Sequence, residues 1–529
     1  MYLCEQALIK QSTAICALFS STVSTRAVLH ATSLRRLQWN KEQQLMGGAV
    51  SIDLVRGMRD VHPAEFAHGR YIQRILEQTM AGYGYQMIDT PVIEHRELYL
   101  RKLGEDLVGK VYEFSFGGRD LALRPEWTAS VLRAYVASMQ DQPLPLRLSY
   151  AGPVFRYERP QRYTYRQFTQ VGGEIIGGLP PRADAEVIAL ACAGLQAVGV
   201  TEYTVRIGHI GLARELLSRF ALPERTRGLL VWSLERLRAE GIAPVRERVL
   251  ANLGTPPEGL ELPAGLDDEQ AARWLERVLT AMQIDLRTGT RSPAEVLQRL
   301  LRTLRRADEQ PLVEAALEQL ARLAAISGPP EHAIPMLADL PGSESAAFRE
   351  LQAILNLLAA YHIPAERVVI DGALGRRGLH YYTGLIFEIY DREGNQLCGG
   401  GRYDDLVGAL GGRQATPAVG FAYGLERVTA AATTGSGESP TTVLVAAVSD
   451  DDYPYALHVA ERLRAGGYIV VLDVRGRSVK DNLRDATRRN YSAVVIVGAA
   501  ERAGEYVIWR DLATRSERQI PIAMLGRHL

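Results

Sequence analysis

The amino-acid sequence predicts an α+β protein in which a mostly antiparallel sheet with flanking helices precedes a separate α/β domain. Three observations support this prediction. Strand-like and helical runs are mixed irregularly through the first 211 residues. Residues 212–345 are rich in Leu, Ala, Arg and Glu with helical periodicity, and residues 443–529 alternate strand with helix.

The first part opens with a predicted helix at 64–84, where apolar residues recur at helical spacing. Runs of alternating or continuous apolar residues predict the next strands, which are 86–93, 111–116, 120–124, 146–155 and 166–177. A second helix is predicted at 183–199, with Asp184 near its start, and a further strand at 201–211.

Residues 212–345 are predicted to form a helical insertion, broken at 255–259 and 327–330. Its many Arg–Glu pairs are typical of a solvated helix surface, and an RNA contact is the less favoured alternative. Strands resume at 367–371, 383–391 and 394–400, and a helix is predicted at 417–432.

The predicted domains follow from these changes of pattern. A core comprises 46–211 and 346–432, and the insertion occupies 212–345 between its two halves. A Gly/Ser/Thr-rich linker at 433–442 leads to the α/β domain at 443–529.

The first 45 residues differ from the rest of the chain. They are rich in Ser, Thr, Ala and Arg, and have only Glu5 and Glu42 as acidic residues. This composition resembles a targeting segment, but a start at Met46 is the favoured reading, and we expect the segment to be disordered in either case.

The overall composition excludes several functional classes. With 61 basic and 61 acidic residues the chain has no net charge, so any contact with nucleic acid must come from a local patch. The four cysteines, Cys4, Cys16, Cys192 and Cys398, form no C-x-x-C pair, which argues against zinc and disulfides and favours a reducing cytoplasm. No apolar run is long enough for a membrane span.

The densest cluster of functional side chains is RRGLHYYTG, from Arg376 to Gly384. It places two guanidiniums and a histidine beside two tyrosines. Because arginine is rarely buried without a partner, this cluster predicts an anion-binding site, with an exposed turn and a salt bridge as the alternative.

Three further stretches combine arginine with Glu or Gln in an apolar setting. They are LRPEWTA at 123–129, FRYERPQ to QVGGE at 155–174, and GGGRYDDL to VGFAYGLERV at 399–428. Four such stretches together predict one pocket that binds phosphates through arginine and an amine through carboxylates.

These stretches resemble, in order and wording, the histidyl-tRNA synthetase family of class II aminoacyl-tRNA synthetases. GMRDVHP (57–63) is similar to the opening motif, GYGYQMIDTPVIE (82–94) to class II motif 1, and FRYERPQ–QVGGE to motif 2. VGFAYGLERV resembles motif 3 and RRGLHYYTG the histidine-specific motif. The resemblance covers roughly residues 50–210 and 360–529, and implies a class II catalytic core followed by an anticodon-binding domain.

The resemblance implies activation of histidine by ATP, with Mg²⁺, and transfer to tRNA(His). No enzyme nucleophile or general base is needed, so catalysis depends on positioning and charge stabilisation. By resemblance, Arg156 binds the α-phosphate, Arg427 the γ-phosphate end, and Arg377 stabilises the transition state. Glu158 is expected beside the adenine and Phe168 stacked on it.

The same resemblance implies a set of histidine contacts. The acceptors for the ammonium are Glu126, Thr128, Gln170 and Glu174. Tyr381 and Tyr382 lie where the family reads the imidazole ring. No residue is predicted to bind a metal directly, and a cytoplasmic homodimer is the family's usual assembly.

Several departures keep a second interpretation open. His380 replaces the family's Asp, Thr164 stands where motif 2 usually has arginine, and YDDL (403–406) replaces YDGL. This wording is closer to a catalytically silent paralogue that senses histidine, the regulatory subunit whose partner is the short-form ATP phosphoribosyltransferase. The C-terminal domain favours the synthetase, because that paralogue usually lacks it.

The C-terminal domain contains a candidate tRNA-binding face. Arg477, Lys480, Arg484 and Arg488 lie in or just before a helix predicted near 478–489, and their i, i+3, i+4 spacing would gather them on one face. The alternative is a solvated surface on which these residues pair with Asp481 and Asp485.

Overall fold

A computed structural model describes most of the chain after its N-terminal segment. The described residues are 52–100, 108–159, 163–253, 262–263, 266–282, 284, 293–304, 306–341, 344–375, 381–435 and 441–525. The chain divides into two compact units, Met1–Arg59 and Asp60–Leu529. The expected extension at 1–45 lies outside the described residues. Residues 52–59 are exposed or half-buried and turn at Gly57, where φ is +86°.

A nine-stranded sheet is the centre of the second unit. Its strands run in the order β1-β5-β6-β12-β11-β10-β7-β9-β8, and all pairs are antiparallel except β1–β5 and β7–β9. Its strands are β1 (Gln86–Met87), β5 (Leu146–Phe155), β6 (Gln167–Ile176), β7 (Tyr203–His209), β8 (Ser327–Gly328), β9 (Val368–Asp371), β10 (Leu385–Asp391), β11 (Gln396–Arg402) and β12 (Ala418–Gly424). The predicted antiparallel α+β fold is confirmed.

A small antiparallel sheet lies between β1 and β5 in the sequence. It consists of β2 (Ile93–His95), β3 (Glu113–Phe116) and β4 (Arg119–Leu123), in the order β2-β4-β3. The helices of this first part are α1 (Pro63–Gly82), α2 (Arg96–Leu100), α3 (Thr128–Ser138) and α4 (Arg182–Ala197). The predicted strand at 86–93 is therefore wrong in extent: it is two short strands in different sheets, separated at Pro91, which has no backbone N–H to donate.

The described residues of the segment predicted as a helical insertion are mostly helical, with one short strand, β8. Its helices are α5 (Ile210–Ser218), α6 (Glu224–Val231), α7 (Leu234–Glu240), α8 (Ile242–Leu253), α9 (Asp268–Ala281), α10 (Pro293–Leu304), α11 (Arg306–Ala325) and α12 (Pro330–Ala338). Leu230, Leu237 and Leu317 pack into the same core as the large sheet, whereas α9 and α10 have a small separate core around Leu275 and Leu301.

The chain then returns to the sheet through α13 (Ala346–Ala360), and α14 (Leu406–Ala409) and α15 (Leu425–Ala431) complete this part. The helix predicted at 417–432 is wrong in its first half. Residues Ala418–Gly424 form β12 between β6 and β11, and the helix begins only at Leu425. A short buried apolar run has the same composition in a strand as in a helix, so periodicity did not separate them.

The C-terminal residues form a five-stranded sheet in the order β14-β13-β15-β16-β17. Its elements are β13 (Thr442–Ala447), α16 (Tyr453–Ala465), β14 (Ile469–Leu472), α17 (Val479–Arg488), β15 (Ala493–Val497), α18 (Ala499–Ala503), β16 (Tyr506–Asp511) and β17 (Glu517–Pro521). β13 pairs in parallel with β14 and β15, as helix–strand alternation predicts. Across the described ranges of the whole chain, no helix is long and apolar enough to cross a bilayer.

Candidate active site

The large sheet and α7 enclose a cavity of about 860 Å³. Its floor is formed by β6, β11 and β12, and its lining includes the motif 2 residues Arg156, Glu158, Phe168 and Gln170. Arg427 enters it from α15. Five of the residues predicted from the sequence therefore lie on one cavity.

Arg156 and Phe168 form one side of this cavity. The guanidinium carbon of Arg156 is 5.3 Å from the centre of the Phe168 ring, and Arg156 Nε donates to the carbonyl oxygen of Pro125 at 2.7 Å. Glu158 accepts a hydrogen bond from Lys110 Nζ at 3.4 Å. A flat aromatic face beside an oriented guanidinium has the geometry needed for a purine base and its phosphates.

The guanidinium of Arg427 is hydrogen-bonded to neighbouring oxygen atoms of the protein. It donates to the carbonyl oxygens of Gln396 and Tyr163, at 3.1 and 3.4 Å, and to Thr164 Oγ1 at 3.2 Å. Thr164 is the position at which the sequence departs from the usual motif 2 arginine. Here it is a hydrogen-bond acceptor for the motif 3 arginine.

Glu174 is fully buried beneath this region and is surrounded by hydroxyl groups. Thr128 Oγ1 and Tyr150 Oη donate to its Oε1 at 2.8 and 2.9 Å, and Tyr403 Oη donates to Oε2. Burial raises the pKa of Glu174 to about 8, and the hydrogen bonds from Thr128 and Tyr150 lower it. A cation in contact with this carboxyl group would favour its charged form.

The two tyrosines of the histidine-specific motif pack against Tyr403 and are not among the residues that line the cavity. The rings of Tyr381 and Tyr382 are 4.9 Å apart, and that of Tyr381 meets Tyr403 edge-on at 5.6 Å. Through Tyr403 the structure therefore joins Tyr381 and Tyr382 to Glu174. No sequence pattern indicated a role for Tyr150 or Tyr403, although Tyr403 stands in the YDDL stretch.

Glu126 has a local structural partner. Its carboxylate accepts the backbone N–H of Ala129 at 3.0 Å, in the first turn of α3. Burial raises its pKa, against the lowering effects of the Ala129 N–H and of Arg156. Glu126, Thr128 and Glu174 are not among the residues that line the cavity. Gln170 lines it, and its buried Oε1 has no hydrogen-bond partner among the described residues.

The predicted insertion contributes one wall of the cavity, which the sequence did not indicate. Glu235, Arg236 and Arg238 of α7 line it, opposite Phe168 and Arg427. The interpretation as a solvated surface fits the exposed pair Arg273–Glu269 on α9, but not α7. The sequence does not distinguish α7 from a solvated helix, because a short Arg/Glu-rich helix has the same composition at the protein surface as in a cavity wall.

Part of the histidine-specific motif lies outside the described residues, including Arg376. Arg377 and His380 lie outside the described residues, which resume at Tyr381. Where side chains are described, no group of three metal-ligating residues comes together.

The predicted basic helix of the C-terminal domain differs in detail from expectation. α17 begins at Val479, after Ser478 caps it, so Arg477 is not on the helix. Arg477 instead pairs with Asp473 and Asp485, at 3.1 and 2.9 Å. The hydrogen bond from Arg477 is the largest of the effects that lower the pKa of Asp485 to about 2.

Acidic partners also accompany the remaining basic residues of α17. Arg484 pairs with Asp481 at 3.4 Å and Arg488 with Asp485 at 2.8 Å, yet both arginine side chains remain more than 70% exposed. The predicted pairing with Asp481 and Asp485 is therefore present, and the exposed guanidiniums keep donors that face solvent.

Comparison with known proteins agrees with this geometry. The sequence model of the family described as "Histidyl-tRNA synthetase" matches residues 57–428, and that of the "Anticodon binding domain" matches 442–527. The histidine–tRNA ligase of Methanocaldococcus jannaschii is 31% identical over 470 residues, which cover 88% of this chain and 97% of that protein.

Two solved structures share the fold at 25% identity. One is the apo histidyl-tRNA synthetase of S. aureus, with a TM-score of 0.60 over 90% of this chain and 99% of that one. The other, from Bacillus halodurans, is titled ATP phosphoribosyltransferase regulatory subunit/histidyl-tRNA synthetase, with a TM-score of 0.61 over 85% of this chain and 100% of that one. From the match over residues 57–428 and the similarity to the archaeal ligase over nearly its full length, the chain belongs to the histidyl-tRNA synthetase family.

Proposed function

We propose that this chain is an ATP-dependent histidine–tRNA ligase, which forms histidyl-adenylate and transfers the histidyl group to tRNA(His). One observation carries the proposal: the motif 2 residues Arg156 and Phe168 share one cavity with the motif 3 residue Arg427, in a chain with an anticodon-binding domain. The match at 442–527 favours the ligase over the regulatory paralogue, since the sequence reading assigns that domain to synthetases.

The proposed chemistry needs no nucleophile from the protein. The histidine carboxylate attacks the α-phosphorus of ATP, and pyrophosphate leaves. Arg156 is proposed to bind the α-phosphate and Phe168 to stack on adenine, because they face each other at 5.3 Å in the cavity. Arg427 reaches the same space and is proposed to exchange its contacts with Tyr163 and Thr164 for the terminal phosphate.

For the amino acid, Glu174 and Gln170 are the proposed partners of the ammonium group. Gln170 Oε1 has no partner among the described residues, and Glu174 is a buried carboxyl group four residues further along the same strand, β6. Tyr381 and Tyr382 are proposed to read the imidazole ring, and Thr128 and Glu126 to complete the acceptor set. Arg377 is proposed to stabilise the transition state.

Mg²⁺ is expected to accompany ATP. Such an ion is usually held by one or two carboxylates together with the phosphates. Glu388 and Glu426 line the cavity and supply oxygen ligands that fit this chemistry. When bound, the ion would neutralise charge on the phosphates.

A homodimer is proposed from exposed apolar side chains around the motif 1 region. Phe66 on α1, Ile93 on β2 and Phe116 on β3 are 59%, 48% and 76% exposed. If these side chains form one contiguous patch, that patch would have the character of a protein interface. Sedimentation of the wild type and of Phe116→Asp tests this, and a wild-type monomer at micromolar concentration would contradict it. A cytoplasmic location is also proposed, in keeping with buried thiols at Cys192 and Cys398.

The test of the main proposal is histidine-dependent exchange of pyrophosphate into ATP, followed by charging of tRNA(His). The wild type is expected to do both. Arg377→Ala is expected to lower exchange by at least about 100-fold while histidine still binds in calorimetry, because the arginine acts in the transition state. A wild type that binds histidine without exchange would support the regulatory paralogue instead.

A further inference from the structure

Helix α7 of the insertion touches the main chain immediately before the histidine-specific motif. Glu235 Oε1 accepts the backbone N–H of Gly375 at 3.3 Å. Gly375 is the last described residue before RRGLHYYTG. This hydrogen bond from the Gly375 backbone to a side chain of α7 connects the start of the motif to that helix.

A second residue of α7 fixes this helix to the end of β9. Arg238 Nη1 pairs with Asp371 Oδ1 at 2.6 Å, and its other nitrogens donate to the carbonyl oxygens of Ala324 and Ile326. Asp371 in turn accepts the N–H of Ala373 at 3.0 Å. The guanidinium group of Arg238 therefore holds α7, the end of α11 and the chain leading to Gly375 in one arrangement.

The other end of the motif is tied to the same insertion. Arg214 Nη2 on α5 donates to the carbonyl oxygen of Tyr382 at 3.3 Å. Tyr382 is buried and packs against Tyr381 and Tyr403, so this bond attaches a rigid part of the site. Contacts from two insertion helices therefore flank the motif.

We propose that Glu235, Arg238 and Arg214, together the insertion clamp, are positioning residues that fix both ends of the histidine-specific motif for adenylate formation. The inference rests on the proposed function. Arg377 lies two residues after Gly375, and two extended residues span at most about 7 Å. Fixing Gly375 therefore confines the backbone of the arginine proposed to act in the transition state.

The insertion clamp affects the rate of adenylate formation more than the affinity for ATP. Its residues hold the backbone on either side of the motif, while Arg156, Phe168 and Gln170 belong to other elements and keep their own contacts. A displacement of about 1 Å of a catalytic group can lower a rate by about 100-fold without loss of binding. Loosening the clamp should therefore lower kcat and leave the KM for ATP nearly unchanged.

The test compares Glu235→Ala, Glu235→Gln and the control Glu269→Ala, an exposed glutamate on α9 of the same insertion. Glu235→Ala should lower the exchange kcat by about 10- to 100-fold, with the KM for ATP within about twofold. Glu235→Gln keeps a carbonyl acceptor and should recover to within about threefold of wild type. Glu269→Ala should match wild type.

Hydrogen exchange gives a readout that does not depend on activity. Amide exchange in the peptide spanning 370–385 should be faster in Glu235→Ala and in Arg214→Ala than in wild type, and unchanged in Glu269→Ala. An active wild type whose kcat and amide exchange survive Glu235→Ala would overturn the clamp. So would a loss of kcat that Glu235→Gln fails to rescue.

The two proposals fail in different ways. Absence of pyrophosphate exchange in the wild type overturns the ligase function. In that case the hydrogen-exchange comparison still decides whether Glu235 and Arg214 hold the segment, and unchanged protection in both variants overturns that part as well.

Discussion

At the scale of single residues, Glu174 combines complete burial with a titratable group. Three hydroxyl donors surround it, and among the described residues no guanidinium or ammonium group is hydrogen-bonded to it. Because burial disfavours the charged form, its pKa rises to about 8. At neutral pH the Glu174 carboxyl group therefore holds a proton.

This predicts that histidine binding releases a proton from Glu174 at pH 7. Calorimetric titration in buffers of different ionisation enthalpy should detect the release in wild type. It should shrink towards zero above pH of about 8, where the empty site is already ionised. Glu174→Gln should bind histidine more weakly, by about 1.5–3 kcal/mol, and release no proton. Equal proton release in the variant would assign the effect to another group.

The same shift has a consequence for stability. The pKa of Glu174 is about 8 in the folded protein, against about 4.3 for an unperturbed glutamate. Between these values the folded chain holds a proton that the unfolded chain has lost. The contribution of Glu174 to stability is therefore full below about pH 4 and is lost as pH rises towards 8.

The sequence predicted part of this residue-scale picture. Arg156, Phe168, Gln170 and Arg427 were placed on one site because each stands in a long motif with a fixed order. Glu235, Arg238 and Asp371 were not, since their importance comes from tertiary contacts between distant segments, which spacing along the chain does not encode.

At the scale of elements, the pairing of β6 with β12 sets the geometry around Glu174. Gly420 lies opposite Glu174 in this ladder. A Cβ at Gly420 would overlap Glu174 Oε2 and lie 2.7 Å from the carbonyl oxygen of Gly173. The glycine therefore leaves the volume that the carboxyl group occupies.

We predict that Gly420→Ala destabilises the protein by about 1–3 kcal/mol, the usual cost of forcing extra volume into a packed site. It should also weaken histidine binding, because Glu174 has to move. Gly408→Ala is the matched control, since nothing lies within 4 Å of its Cβ position, and it should change stability by no more than about 1 kcal/mol. Chemical denaturation and histidine titration of both variants measure this, and equal behaviour would contradict it.

Element boundaries show where sequence reasoning succeeds and fails. The long strands at 146–155 and 166–177 were predicted nearly as β5 and β6 appear, because each is a long apolar run bounded by turn residues. The strand predicted at 201–211 ends at His209, where α5 begins without a break. Gly208 lies within the strand and Gly211 within the helix, so neither glycine marks the boundary itself.

At the scale of the whole molecule, the C-terminal residues have cores of their own. Val443, Val459 and Trp509 belong to one cluster, and Leu444, Ala486 and Val494 to another, both separate from the core of the large sheet. The exposed arginines of α17 lie outside these cores. A neutral chain can therefore offer a local basic surface to tRNA.

This predicts that removal of residues 433–529 abolishes tRNA binding and spares histidine-dependent pyrophosphate exchange. Binding by the full chain should weaken steeply with salt, because each neutralised phosphate releases counterions. Filter binding across a salt series measures both, with Arg484→Ala plus Arg488→Ala in the full chain expected to reduce the slope by roughly two. Undiminished binding by the truncated chain would place the tRNA site elsewhere.

The position of Lys110 makes it a target for chemical labelling in the cavity. It lines the nucleotide cavity beside Glu158, and no other lysine lines it among the described residues. The chain is poor in lysine, since most of its 61 basic residues are arginine. A periodate-oxidised nucleotide, whose aldehydes react with amines, would therefore meet few competing side chains. Protection of Lys110 by ATP, read by mass spectrometry, would report occupancy of the cavity in solution without reference to any reaction it catalyses.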